Sequence, residues 1–222
     1  MAPRLMGRNE IIQRFNPDDV ETFNRQRRQR LMFYLLSGIL LFSSFWIEKV
    51  NIRAAYLIRA IIPTVIFFKN HAFPHWPKIQ ETYVRLLWLS IGFLLIGNWM
   101  VVIMPLYRKA MLHFVFVGGF SLMTFAVATM VIYSHSGDLA GLRKTMWSLR
   151  IVLIGVVVAL ATRVASDFIP KTYFLHLGVA SFVWIATGLI WLYCMIPKLQ
   201  ATPSPEEFER CHDEAKKRIR ES

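Results

Sequence analysis

The chain has 222 residues, 55% of them apolar, and carries 26 Lys and Arg against 14 Asp and Glu, a net charge of +12. Its mean hydropathy is +0.41 although 18% of the residues are charged, so the charges must be separated from long apolar stretches. This excludes an ordinary soluble domain and a disordered chain, and two Cys are too few for a disulfide scaffold. We attribute the basic charge to membrane topology and expect no nucleic-acid partner.

Six apolar segments lie between clusters of charged residues. A helix needs ~20 mostly apolar residues to cross the hydrocarbon core of a bilayer. In chain order the candidate spans are 31–47, 54–68, 86–104, 111–134, 151–165 and 173–196. The second span contains Arg59 and Pro63, so it can cross a membrane only if a packed neighbour or a bound group compensates the arginine.

The distribution of positive charge predicts the orientation of these spans. Both tails and the loops after the second and fourth spans carry 19 of the 26 Lys and Arg, and cytoplasmic segments keep such an excess. We therefore predict an all-α integral membrane bundle of six transmembrane helices with both termini cytoplasmic. Residues 31–197 form the membrane domain, and short cytoplasmic helices occupy 1–30 and 198–222.

Two histidines are predicted to lie at the same depth in the bundle. His113 and His176 each fall a few residues into a span that enters from the outer side, in spans that run in the same direction. Two imidazoles facing each other across a gap are what a haem iron with two axial His requires. The alternative is that each is a core histidine bonded to a carbonyl.

Other residues could complete a haem pocket at this level. Arg108 and Lys109 are placed to pair with haem propionates, and Gly118 and Gly119 would let the fourth span approach a flat ligand closely. Packing against a neighbouring helix is an equally good reason for the two glycines. The predicted cofactor of this pocket is haem b.

Three further histidines are predicted on the cytoplasmic side. His135 closes the fourth span, and His71 and His75 lie in the loop after the second span with Pro74 between them. Neutral imidazoles at these positions could bind copper or zinc, or they could simply lie at the membrane interface beside Trp76.

Several function classes have no support in the sequence. It contains no P-loop, dinucleotide fingerprint, Ser-His-Asp set, HExxH or CxxC motif, so hydrolase and nucleotide-binding functions are not indicated. A small transporter is disfavoured because no acidic residue lies within the six predicted spans.

The region 108–199 resembles the C-terminal half of the NnrS family of bacterial membrane proteins. The matching pieces are Leu112-His113, VGGFSLMTFAV, Ser134-His135-Ser136-Gly137, Arg163-Val164-Ala165, Trp184 and the stretch 193–197. The resemblance implies a haem- and copper-containing protein of the bacterial inner membrane, linked to nitric oxide metabolism or protection against nitrosative stress. His113 and His135 are the histidines of this chain that match the histidine motifs of the family.

The resemblance also bears on assembly. Family members are about twice this length, so it implies a homodimer or a place in a larger membrane complex. We therefore expect an NnrS-like membrane haem protein in electron transfer or nitric oxide handling, in contact with the lipid bilayer. The alternative is a non-catalytic membrane subunit that anchors or assembles a larger complex and binds no cofactor. The sequence does not decide whether the protein is an enzyme.

Overall fold

The described part of the chain is almost entirely helical. The structure is a computed structural model that describes residues 20–69, 76–77, 81–143, 146–201 and 209. Its helices are α1 (Val20–Ile47), α2 (Ile52–Lys69), α3 (Thr82–Ile103), α4 (Arg108–His113), α5 (Leu122–His135), α6 (Leu139–Arg143), α7 (Trp147–Phe168) and α8 (Tyr173–Leu199). These ranges contain no strand, so the all-α prediction is confirmed for them.

Five helical segments are long and apolar enough to cross a membrane. They are Arg27–Ile47, Thr82–Ile103, Pro105–His135, Trp147–Phe168 and Pro170–Leu199. Helix α2 corresponds to the second of the six predicted spans and does form a helix, but it contains Arg53, Arg59 and Lys69. Membrane spanning by α2, and with it the count of six, therefore stays a prediction.

The predicted terminal helices are only partly within the described residues. Helix α1 begins at Val20 and runs without a break into the first apolar segment, as expected of a cytoplasmic helix that continues into a span. The predicted C-terminal helix lies outside the described residues apart from 198–201 and 209.

Local sequence explains where several helices begin. The side chain of Asn51 accepts the backbone N–H of Ala54 at 3.1 Å, which caps the N-terminus of α2. Pro105 and Pro170 each open a short 3₁₀ turn, over Pro105–Tyr107 and Pro170–Thr172, because proline fits the first turn and lacks an N–H. These turns bring the chain back into the bundle.

Neighbouring helices in the chain are also neighbours in space. Helix α1 packs on α2, α2 on α3, α3 on the α4–α5 segment, and α7 along α8. The largest cluster of buried apolar side chains joins α3, α5 and α7 and includes Val84, Leu122, Leu149, Val152 and Val156. Helices α3, α5 and α7 therefore form the centre of the bundle, with α1 and α8 at its edges.

A π-helical segment, Phe114–Ser121, interrupts the helix between α4 and α5. Such wide turns are rare and occur often at functional sites. The segment packs against α3, where a Cβ added at Gly97 would lie 2.9 Å from the backbone nitrogen of Val115. Glycine at this position lets the two backbones meet, directly after His113 in the chain.

Tryptophan side chains hydrogen-bond across helix pairs. Polar contacts between helices help to hold them together where lipid supplies no hydrophobic force between them. The indole Nε1 donates to a hydroxyl in three pairs: Trp99 to Thr64 at 3.1 Å, Trp184 to Ser121 at 3.2 Å and Trp191 to Thr129 at 2.9 Å.

Candidate functional site

His113 ends α4 with both of its ring nitrogens hydrogen-bonded. Nδ1 lies 2.6 Å from the carbonyl oxygen of Lys109, one helical turn earlier, and Nε2 lies 3.1 Å from Nε of Arg163 on α7. A carbonyl only accepts and a guanidinium only donates, so Nδ1 carries the proton and Nε2 presents its lone pair. The structure thus defines a neutral imidazole with one fixed tautomer.

Arg163 is the centre of this polar group. Its side chain is only 12% exposed, and its Nη1 donates to Ser166 at 2.7 Å and to Asp167 at 3.0 Å. The carboxylate balances the guanidinium charge within one turn of α7, which a buried charge in a membrane helix requires. We refer to His113, Arg163, Ser166 and Asp167 as the His113 cluster.

A second ionic group lies at the same end of the bundle. Glu48, in the turn after α1, pairs with Arg59 of α2 at 2.7 Å and with Arg108 of α4 at 2.6 Å. The sequence required that a neighbour compensate Arg59, and Glu48 is that neighbour. We call Glu48, Arg59 and Arg108 the Glu48 triad.

The Glu48 triad and the His113 cluster are joined by apolar packing. Tyr56 of α2, Val101 of α3 and Met111 of α4 form one buried group, against which Val164 of α7 packs. Both polar groups therefore belong to one end of the bundle, formed by the turns 48–51, 104–107 and 169–172. We call it the His113 end.

His176 is half-buried on α8. Helix α4, which carries His113, packs against both α3 and α7, whereas α8, which carries His176, packs mainly along α7. Both ring nitrogens of His113 bond to groups other than His176, so the role of the two imidazoles as a facing pair of ligands stays a prediction.

The predicted propionate partners have other contacts in the structure. Arg108 donates to Glu48, and Lys109 supplies its backbone carbonyl to His113. The Lys109 contact matches the alternative of a histidine bonded to a carbonyl. It is also what metal-ligating histidines do with their second nitrogen, so it suits both interpretations.

Gly118 and Gly119 lie in the π segment and face α3. A Cβ added at Gly118 would come within 2.9 Å of Phe93, and one at Gly119 within 3.3 Å of Leu94. Both glycines therefore allow the π segment to pack closely against α3.

The predicted cytoplasmic metal site has one described member. His135 is exposed at the end of α5, while His71 and His75 lie outside the described residues. Within the described ranges, no three His, Cys, Asp or Glu side chains converge as a metal site. Copper at these histidines stays a prediction.

Sequence reasoning missed two acidic residues of the site. The expectation that no acidic residue lies within a span assumed a fifth span ending at residue 165, but α7 extends to Phe168 and includes Asp167. Asp167 follows Arg163 by four residues, and this spacing in a helix predicts an ion pair between them. Glu48 carried no such signal, because it meets Arg108 from 60 residues away.

The fold and the two ionic groups define a class of protein. Five membrane-length apolar helices, packed as a bundle with buried charges paired at one end, are the features of a polytopic helical membrane protein. The chain belongs to the NnrS family, whose sequence model, described as NnrS protein, matches residues 8–202. The match thus extends well beyond the region 108–199 on which the resemblance rested. No curated protein and no solved structure matches the chain.

Proposed function

We propose that this chain is a membrane haem protein that acts in electron transfer or in the handling of nitric oxide and nitrosative stress. The observation that carries the proposal is the state of His113, a neutral imidazole whose Nδ1–H is anchored to the carbonyl of Lys109. Membership of the NnrS family supports the same function.

The donor chemistry at His113 fits an imidazole that would hold a haem iron. An imidazole with its Nδ1–H held by a carbonyl has the tautomer and ring orientation that leave Nε2 as the ligand atom. Nε2 accepts from Arg163 at 3.1 Å, so ligation requires Arg163 to release it. Ser166 and Asp167 are the partners that hold the guanidinium when it does so. We assign the second ligand to His176.

The residues of the His113 end have separate tasks in this proposal. A bound haem would supply one-electron transfer. The Lys109 carbonyl fixes the orientation of the His113 ring, and Asp167 neutralises Arg163 beside it. The apolar group around Met111 limits the access of water. No step is proposed through copper.

The experiment is a reduced-minus-oxidised absorption spectrum of the full chain, purified in mild detergent after expression with added haem. We expect haem b bands in the wild type and their loss in His113→Ala and His176→Ala. His135→Ala is the matched control, because this exposed histidine is the last residue of α5 and lies far along the chain segment from His113. The haem bands of this variant should match those of the wild type. Folded wild-type protein without haem would refute the proposal and leave the cofactor-free anchoring subunit as the better description.

The proposal includes a location and an assembly. We infer that the protein lies in the bacterial inner membrane with both termini in the cytoplasm, on the basis of the asymmetric distribution of Lys and Arg. We propose a homodimer or a larger membrane complex as the functional unit. Mass measurement of the protein in lipid nanodiscs tests the assembly, and a monomer as the sole species would refute it.

A further inference from the structure

The guanidinium of Arg59 lies against two aromatic rings, and two of its three nitrogens have polar partners. Its Cζ lies over the ring of Phe45 at 4.1 Å and over the ring of Tyr56 at 4.7 Å. Nε donates to Ser44 at 2.8 Å and Nη1 pairs with Glu48 at 2.7 Å. Nη2 is fully buried, and no group in the described part of the chain accepts its hydrogens.

Nη2 of Arg59 is a buried nitrogen of a charged group, so leaving it without a hydrogen-bond acceptor is unfavourable. Almost all buried polar atoms in folded proteins have a partner, and charged donors are the most costly to leave without one. The aromatic and polar contacts fix the guanidinium plane, so it cannot turn to expose Nη2 without losing them. The missing acceptor must therefore come to Arg59.

The charge balance of the Glu48 triad indicates what this acceptor is. Arg59 and Arg108 share a single carboxylate, that of Glu48, so one positive charge remains. A water molecule could accept a hydrogen bond from Nη2 but would leave that positive charge in place. An anion would accept the hydrogen bond and also neutralise the charge.

The surroundings favour the arrival of an anion. Among the described residues, the His113 end carries only two acids, Glu48 and Asp167, against seven bases. The bases are Lys49, Arg53, Arg59, Arg108, Lys109, Arg163 and Lys171. Such an excess attracts anions. The side chains of Arg108 and Glu48 are 34% and 24% exposed, so the triad reaches the surface of the bundle.

We propose that Arg59 and Arg108 bind an oxyanion, a phosphate or carboxylate group, at the His113 end of the bundle. Nη2 of Arg59 and the N–H groups of Arg108 not used by Glu48 donate to its oxygens. A planar guanidinium suits two oxygens of one such group. The oxyanion is either the headgroup phosphate of a phospholipid or a free ion of the same chemistry. The site requires no haem.

The test uses the full chain, free of haem and stripped of lipid in mild detergent, with tryptophan fluorescence reporting its thermal unfolding. Sodium phosphate, sodium acetate and dioleoyl phosphatidylglycerol are titrated separately, with sodium chloride at equal ionic strength as the reference. We expect a saturable rise in Tm in the wild type with at least one of the three probes. Arg150→Gln is the matched control, because this exposed arginine lies near the start of α7, away from the His113 end, and should leave the rise unchanged.

Two variants of the triad should act in opposite directions. Arg59→Gln should abolish the rise in Tm, since it removes the donor and its charge. Glu48→Gln should lower the half-saturating probe concentration roughly tenfold, since it removes the competing carboxylate. A purely structural triad would lower the Tm in both variants without changing the response to the probe.

The outcomes separate the two sources of the oxyanion. A response to phosphatidylglycerol alone identifies a lipid headgroup, and a response to phosphate or acetate identifies a free ion. No probe-dependent rise in the wild type, an equal rise in Arg59→Gln, or no gain in Glu48→Gln would each overturn the proposal. Because the protein is free of haem throughout, none of these results depends on the proposed haem site.

Discussion

The contact between α3 and the π segment can be tested with a single methyl group. Gly97→Ala would place a Cβ 2.6 Å from Cγ2 of Val115, 2.9 Å from the backbone nitrogen of Val115 and 3.0 Å from Cβ of Phe114. Two of these atoms belong to the backbone or are attached directly to it. A change of rotamer therefore gives no relief, and the two helices must separate.

The size of the effect follows from two opposing terms. Alanine is favoured over glycine in a helix interior by about 1 kcal/mol. Overpacking a filled site costs about 1–3 kcal/mol, and the upper value applies where backbone has to move. We therefore expect Gly97→Ala to lower the free energy of unfolding by about 2 kcal/mol, as the difference between 3 and 1.

Gly178 on α8 provides the matched control. A Cβ added there meets no atom within 4 Å, so only the helix-propensity term acts. Gly178→Ala should raise the free energy of unfolding by up to about 1 kcal/mol, which puts the two alanine variants about 3 kcal/mol apart. The measurement is a denaturant titration in mild detergent followed by circular dichroism. If both variants are equally stable, α3 and the π segment are not in the close contact described here.

Three further predictions concern the site, the packing and the topology. Arg163→Gln removes the donor that competes for Nε2 of His113, so apo-protein should take up haem faster than wild type in a stopped-flow Soret measurement; slower uptake contradicts this competition. Trp191→Phe loses the 2.9 Å hydrogen bond to Thr129, which should cost about 0.6–1.7 kcal/mol in the same denaturant titration, and an unchanged midpoint contradicts it. Alkaline phosphatase fused after residue 201 should be inactive in whole cells, since we predict that terminus in the cytoplasm, and an active fusion reverses the orientation.

Much of the fold could be predicted from the sequence, because apolar length and charge segregation are properties of the chain itself. A segment such as 86–104 must form its backbone hydrogen bonds internally when no water is present, so its length and composition dictate a helix. The NnrS resemblance also depended on residues readable in order, such as Leu112-His113 and Arg163-Val164-Ala165, and family membership is confirmed over residues 8–202.

The composition of the site depended on contacts between distant parts of the chain. His113 was predicted as a functional residue, because an ionisable group inside a span is costly. Its partner Arg163 is 50 residues away in the chain, so no local pattern indicates that the two side chains meet. The i,i+4 pair of Arg163 and Asp167 could have been read from the sequence, but the link to His113 could not.

The sequence by itself determined that this protein is a set of apolar helices with its charges at their ends. Only the tertiary structure decided which charges meet, as in Glu48 with Arg59 and Arg108, and which glycines lie between helices, as Gly97 does against Val115. The physical reason is that lipid-facing and helix-facing sides of a span are both apolar, so the pattern along one helix does not specify its neighbour. Neighbours are instead chosen by close packing and by the pairing of the few buried polar groups, which exist only once the helices are assembled.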